Sequence, residues 1–343
     1  MLSAEICKNT LIQSIMIALI LGSIEVMADY DVFNGDADGI CALVQLRQLE
    51  PRDSTLITGV KRNIQLLSQV NADAGDRITV LDISMAKNSD DLRRVLSLGA
   101  TVFYVDHHAA GEVPVSSSLM SLINESPNVS TSLLVNNYLR GARLAWGVVG
   151  TFGDNLKSAA HGMLKNSEFS QEQIGLLEKL GIYMNYNGYG SDLTDLHFTP
   201  TELYRLALEY ENPLDFISDG HHHFDKLETG YHNDFSAVQS VGVFHQTPSA
   251  AVFMLPDEPW ARRVSGVFSN DLTNQYPQRA HAVVTEKANG CYLVSVRAPL
   301  DNRVGASLLC SQFESGGGRE AAAGINDLPA DQLGEFIDKF EQS

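Results

Sequence analysis

Two apolar periodicities trade places along the first half of this chain. Short, largely apolar runs at 30–33, 56–60, 78–81, 101–105 and 119–123 predict β-strands, while helical spacing over 40–49, 90–98 and 130–139 predicts helices. A helix-like stretch at 64–70 completes a βαβ rhythm, which builds a parallel sheet. Residues 144–154 are apolar almost throughout, 156–240 read as largely helical, and the pattern breaks around 239–249. A second unit then begins. It has a strand at 251–255, a helix at 260–275, a β-hairpin of 280–284 and 291–297 around Lys287-Ala288-Asn289-Gly290, and helices at 303–313 and 330–340. The expected fold class is α/β. A doubly wound, mostly parallel sheet fills a first domain (29–160), a helical region (161–249) connects, and a smaller α/β domain (250–343) follows.

Composition narrows the partners. The chain has 343 residues, enough for two cores, and 42 acidic against 24 basic side chains give a net charge of −18. Such a charge repels a long polyphosphate backbone and favours a small anionic substrate held by metals or a local basic patch. Cys7, Cys41, Cys291 and Cys310 lack metal-ligand spacing and read as reduced thiols of a cytoplasmic protein. Residues 1–28 form an apolar extension whose run at 15–21 has some features of a signal peptide, but it is too short for a membrane span. The favoured reading is an extension ahead of a start at Met27 with no export role and no stable membrane association, because the first strand begins directly after it. Export stays open.

The chemistry gathers at strand ends. Tyr104-Val105 runs into Asp106-His107-His108, the first strand into Asn34-Gly35-Asp36-Ala37-Asp38-Gly39, the third into Asp82, and 144–154 ends on Thr151-Phe152-Gly153-Asp154. Carboxylates and imidazoles at the carboxyl edge of a parallel sheet lie where open α/β folds bind ligands, and they are ligands for divalent cations. Each motif alone has a bland reading, since Asp36 and Asp38 suit a turn and helix cap and Asp154 suits a helix end. Two further stretches are weaker candidates. Residues 183–191 interleave Tyr, Asn and Gly, which suits a structured turn more than a base-stacking platform, and His221-His222-His223 reads as a solvated loop more than a ligand set. Near the carboxyl terminus, Gly316-Gly317-Gly318-Arg319-Glu320-Ala321-Ala322-Ala323-Gly324 follows Ser295-Val296-Arg297. Consecutive glycines let backbone N–H groups approach an anion, and small residues let a following helix pack close behind.

In order and character these motifs resemble the DHH phosphoesterase family, which includes RecJ-like exonucleases, nanoRNases and manganese pyrophosphatases. The glycine run is similar to the GGGHxxAAG signature of the family's DHH-associated domain, with Arg319 in the histidine position. The resemblance covers about 29–155 and 250–330. It implies a two-metal site for manganese, with magnesium also admissible. Asp36 and Asp82 would hold one ion, and Asp38, Asp82, His107 and Asp154 a second. His108 would face the scissile phosphate as hydrogen-bond donor or acid, and Asp106 would orient the neighbouring histidine. Gly316, Gly317, Gly318, Arg319 and Arg297 would bind substrate. Many members carry a histidine shortly before the Asp-x-Asp motif, where this chain has Val32-Phe33-Asn34-Gly35. The first ion would then rely on Asn34, water or bound substrate. The implied function is a phosphodiesterase that hydrolyses very short oligonucleotides or linear dinucleotides such as pGpG or pApA to mononucleotides. The alternatives are a phosphatase of 3′-phosphoadenosine 5′-phosphate and a nucleotide-binding regulator with weakened catalysis. No long nucleic acid is expected as partner, and a homodimer is left open.

Overall fold

Five parallel strands form the first sheet: β1 (Asp29–Phe33), β2 (Thr55–Ile57), β3 (Arg77–Leu81), β4 (Thr101–Asp106) and β5 (Leu119–Ile123). The computed structural model describes residues 27–342, so the apolar run at 15–21 lies outside the described residues. The strand order is β2-β1-β3-β4-β5. The chain winds outward from β1 to β2, then crosses back to β3 and continues the other way. Between β1 and β3 the connecting loops part, and an open α/β sheet has its ligand crevice at that point.

Both faces of this sheet are covered, which is why its strands read as continuous apolar runs. Phe33, Leu81 and Val105 face one side, against α1 (Ala37–Leu49), α3 (Thr131–Tyr138) and α4 (Leu144–Gly153). Val32, Val80 and Tyr104 face the other, against Leu92 and Val95 of α2 (Ser89–Ser97) and against Leu66, Leu67 and Val70. The expected helix at 64–70 is only a single 3₁₀ turn, Leu67–Gln69. Its apolar residues are buried as the pattern requires, but side chains take its backbone groups. Asn88 accepts from the Leu67 N–H and donates to the Ile64 carbonyl, while Arg94 donates to the carbonyls of Leu67 and Val70. So short a segment does not repay helix nucleation.

The helices α5 (Lys157–Met163), α6 (Gln171–Gly188), α7 (Pro200–Leu208), α8 (Pro213–Ser218) and α9 (His221–Gln239) follow. Ile174, Leu177, Leu180 and Met184 of α6 enter the same core as Phe33 and α1. Residues 183–188 are the last turns of α6 rather than a turn of their own, and Asn187 accepts the N–H groups of His197 and Phe198 there. His221, His222 and His223 open α9 instead of forming a loop.

A second sheet has the order β10-β11-β9-β8-β7-β6, from β6 (Val243–Gln246), β7 (Ala250–Leu255), β8 (Ala280–Glu286), β9 (Cys291–Arg297), β10 (Gly316–Gly318) and β11 (Ala322–Pro329). Only β7 and β8 pair in parallel, joined by α10 (Pro259–Gln275), and β8 and β9 form the expected hairpin. The edge strand β6 leaves Val243, Phe244 and Gln246 exposed, so no buried pattern announces it. The helix expected at 303–313 shrinks to α11 (Ala306–Cys310), because Gly305, with φ at 102°, bends the chain at its start. The last helix is α12 (Leu333–Glu341). Among the described residues no helix is long and apolar enough to cross a membrane.

Candidate active site

The acidic residues converge at the switch point between β1 and β3. Asp36 caps α1, its Oδ1 accepting the N–H groups of Asp38 at 3.0 Å and Gly39 at 3.1 Å. Asp38, in the first turn, turns across to the start of α3, where the N–H groups of Thr131 and Ser132 each donate to it at 2.7 Å. Asp82 follows β3 with φ at 61°, a left-handed conformation that a side-chain-bearing residue adopts only when its surroundings hold it there. Its N–H donates to the Val105 carbonyl, and its Oδ1 accepts from the Thr131 hydroxyl at 2.9 Å. Asp154 is the residue that ends α4.

His107 stands among them. Its Nδ1 meets the Val129 carbonyl at 2.6 Å, and since a carbonyl only accepts, Nδ1 carries the hydrogen. In the neutral ring Nε2 then presents its lone pair 3.3 Å from Asp82, 3.5 Å from Asp154 and 3.8 Å from Asp38. His108 lies beside it, its Nδ1 donating to Asp106 at 2.7 Å and standing 4.0 Å from Asp82 Oδ1. Asp106 is fully buried and its Oδ2 has no partner.

Charge explains what such a cluster needs. Burial pushes the Asp38 and Asp82 carboxyls well above the usual carboxylate range, and nearby carboxylates push further, Asp82 upon Asp38 and Asp36 upon Asp82. Burial acts on Asp154 in the same sense, but the Arg319 guanidinium and the Lys61 ammonium outweigh it and hold that carboxyl below its ordinary value. Carboxylates driven toward protonation by one another form a site short of positive charge. Two trios, Asp82–His107–His108 and Asp38–His107–Asp154, each bring ligand atoms within 4.8 Å of one another. Hard oxygens with one imidazole nitrogen, its other nitrogen anchored, suit manganese or magnesium, so the residues present fit a divalent cation.

The basic side of the site was largely hidden in the sequence. Lys61, beyond β2, donates to Asp36 and to Asn185 Oδ1, the latter at 2.9 Å, lies 3.6 Å from Asp154, and sits 5.3 Å from the centre of the Tyr189 ring. Arg62 donates to Ser295 Oγ of β9 at 2.7 Å. Arg297 donates to Asn270 at 2.8 Å. Burial tends to raise the Tyr189 hydroxyl, but Lys61, Arg297 and Arg62 outweigh it and lower it below its ordinary value. Lys61 and Arg62 form an adjacent basic pair just past a strand end in an acidic chain, which is the signal that could have marked them. Tyr189 belongs to the 183–191 stretch.

Arg319 reaches the cluster from the second sheet. Its guanidinium lies 3.3 Å from Asp154 and 3.2 Å from His107 Nδ1. The glycines before it are not a loop followed by a helix. They form the edge strand β10, which pairs antiparallel with β11, and Arg319 and Ala322 exchange backbone hydrogen bonds at the turn. At two of them, Gly316 and Gly318, the glycine has a packing cause. A Cβ on Gly316 would stand 1.8 Å from the Cys310 carbonyl oxygen, and one on Gly318, whose φ is 144°, would stand 2.5 Å from Ala323 Cα.

No protein-family model matches the chain, and no curated protein matches it. Solved structures do. A RecJ exonuclease bound to manganese is similar with a TM-score of 0.60 at 16% identity, over 95% of this chain and 92% of that one. A DHH domain of a member of the s1p family of ribosomal proteins gives 0.62 at 12% identity, over 93% of this chain and 86% of that one. RecJ from Thermus thermophilus in complex with Mn²⁺ gives 0.60 at 15% identity, over 95% of this chain but 53% of that one. The parallel sheet, the helices that follow it and the second sheet therefore compose the DHH-family fold, and that is the fold of this chain.

Proposed function

We propose that this protein is a metal-dependent phosphoesterase that cleaves very short oligonucleotides, linear dinucleotides foremost, to mononucleotides. The observation that carries the reading is one juxtaposition. Asp38, Asp82, His107 and Asp154 converge, and Lys61 and Arg319 stand against them. Those four residues would hold a divalent ion, which would supply Lewis-acid chemistry to a phosphoryl oxygen and a water. Manganese suits the donor set, magnesium is admissible, and two of the similar RecJ structures contain manganese.

The chain's own residues do the rest. The His107–Val129 bond holds the ring so that Nε2 is the ligating atom. Asp106 accepts from His108 Nδ1 and orients the ring, and with both ring nitrogens protonated Nε2 donates to a phosphate oxygen or protonates the departing one. Arg319 offers a planar fork to a phosphate, and Arg297 and Arg62 offer charge beside Tyr189. A net charge of −18 opposes a long polyanion, so cations gathered at one place suit a substrate of the same short reach. Among the described residues Cys41, Cys291 and Cys310 are free thiols, and the location we propose is cytoplasmic.

Product analysis by chromatography tests this, with manganese or EDTA and with pGpG, pApA, a five-nucleotide RNA and 3′-phosphoadenosine 5′-phosphate as substrates. Manganese-dependent cleavage of dinucleotides in preference to the longer RNA is the expected result. Phosphate release from the bisphosphate alone would replace this reading with a phosphatase, and binding without turnover across the panel would replace it with a nucleotide-binding regulator.

A further inference from the structure

We propose that Lys61 stands in for one of the two metal ions that the motifs imply, so that the site works with a single divalent ion and a built-in ammonium. The inference rests on the metal-dependent reading above.

Both oxygens of Asp36 are committed. Oδ1 caps α1 through two backbone N–H groups, and Oδ2 takes the Lys61 ammonium. Asp36 accordingly falls in neither trio able to hold a cation among the described residues, whereas Asp38, Asp82, His107, His108 and Asp154 all do. The ammonium is itself satisfied, since Asp36 and Asn185 accept from it and Asp154 lies 3.6 Å away.

Lys61 is held in place from its backbone. Its N–H donates to the Gly188 carbonyl at 2.9 Å, and its own carbonyl accepts from Asn34 Nδ2 at 3.2 Å. Asn34 precedes Asp36 where many family members place a histidine. Here its amide nitrogen donates to the lysine carbonyl, while its Oδ1 is buried with no hydrogen-bond partner among the described residues. Two departures from the motif pattern, an asparagine for a histidine and a lysine beyond β2, thus form one arrangement.

The local charge agrees. With an ion bound and Asp36, Asp38, Asp82 and Asp154 all ionised, the ammonium, the Arg319 guanidinium and one divalent ion would match the charge of those four carboxylates. A second divalent ion would have to displace the ammonium from Asp36 or lie against it, and like charges at that range repel strongly. During phosphoryl transfer an ammonium can neutralise charge and donate hydrogen bonds, but it cannot acidify a bound water as an ion does. The single ion would then carry that part of the chemistry.

The test is a count of bound manganese on the full chain by equilibrium dialysis with elemental analysis, paired with electron paramagnetic resonance for the exchange-coupled signal of adjacent Mn²⁺ ions. Wild type is expected to bind one ion per chain without the coupled signal. Lys61→Ala and Lys61→Gln are expected to bind two with it, the second variant keeping the side-chain volume should the first not fold. Two coupled ions in wild type, or one ion in wild type and both variants alike, would overturn the proposal. No bound ion in any of them would instead overturn the metal-dependent reading beneath it.

Discussion

The Arg319 guanidinium lies 3.3 Å from the Asp154 carboxylate, and through that contact the turn between β10 and β11 of the second sheet enters the acidic cluster of the first. One side chain is therefore poised both to receive substrate and to compete with a bound ion for the same carboxylate.

Arg319→Ala should separate those two roles. Losing a charge-assisted pair of hydrogen bonds to a phosphate, worth about 1.5–3 kcal/mol, should raise KM for a dinucleotide at least about tenfold. Freed of the guanidinium, Asp154 should bind manganese more tightly. Steady-state kinetics and a manganese titration check the two opposite signs, and a purely structural role for Arg319 would weaken both.

Asp106→Asn addresses the orientation of His108. The carboxylate accepts from His108 Nδ1 at 2.7 Å and touches none of the other metal-site carboxylates by hydrogen bond. An asparagine accepts less strongly and lets the ring turn. The expected result is a fall in kcat of about a hundredfold or more, with the bound-manganese count unchanged.

The glycines of β10 should differ sharply. Gly316→Ala drives a methyl into the Cys310 carbonyl and is expected to cost about 2–3 kcal/mol of stability. Nothing stands within 4 Å of a Cβ on Gly317, so Gly317→Ala should change stability by no more than about 0.5 kcal/mol. Urea denaturation of the two variants makes the comparison.

His281, inside β8, sets a pH dependence away from the active site. Burial first, and the neighbouring Arg279 second, lower its value from 6.5 to about 4. Below pH 6.5 the unfolded chain takes up a proton that the folded chain refuses until about pH 4, so the contribution of His281 is full above 6.5 and is lost as pH falls. Over that window wild type should lose about 2–3 kcal/mol more stability than His281→Phe, in which the titrating group is gone. Thermal unfolding of both proteins from pH 7 to pH 4 reads the difference.

What the sequence by itself determined was local and periodic. The largely apolar runs at 78–81 and 101–105 can satisfy their burial only in a sheet covered on both faces, and an acid at the end of each such strand lands on the sheet's carboxyl edge wherever the strands are ordered. Asp36, Asp38, Asp82, Asp106, His107 and His108 were legible for that reason, whereas Asp154, grouped with the strand ends in the sequence, ends the helix α4. Only the tertiary structure decided what stands opposite them. Lys61 meets Asp36 across 25 positions, Arg319 meets Asp154 across 165, and Arg62 meets Ser295 across 233. No periodicity records such pairings, because they depend on strand order and on how the two sheets face each other. The glycines at 316–318 show the same limit. Their spacing suggested an anion-binding loop, but whether a glycine is needed depends on what would touch its missing side chain, and that neighbour, the Cys310 carbonyl, is set by the packing of α11 against β10.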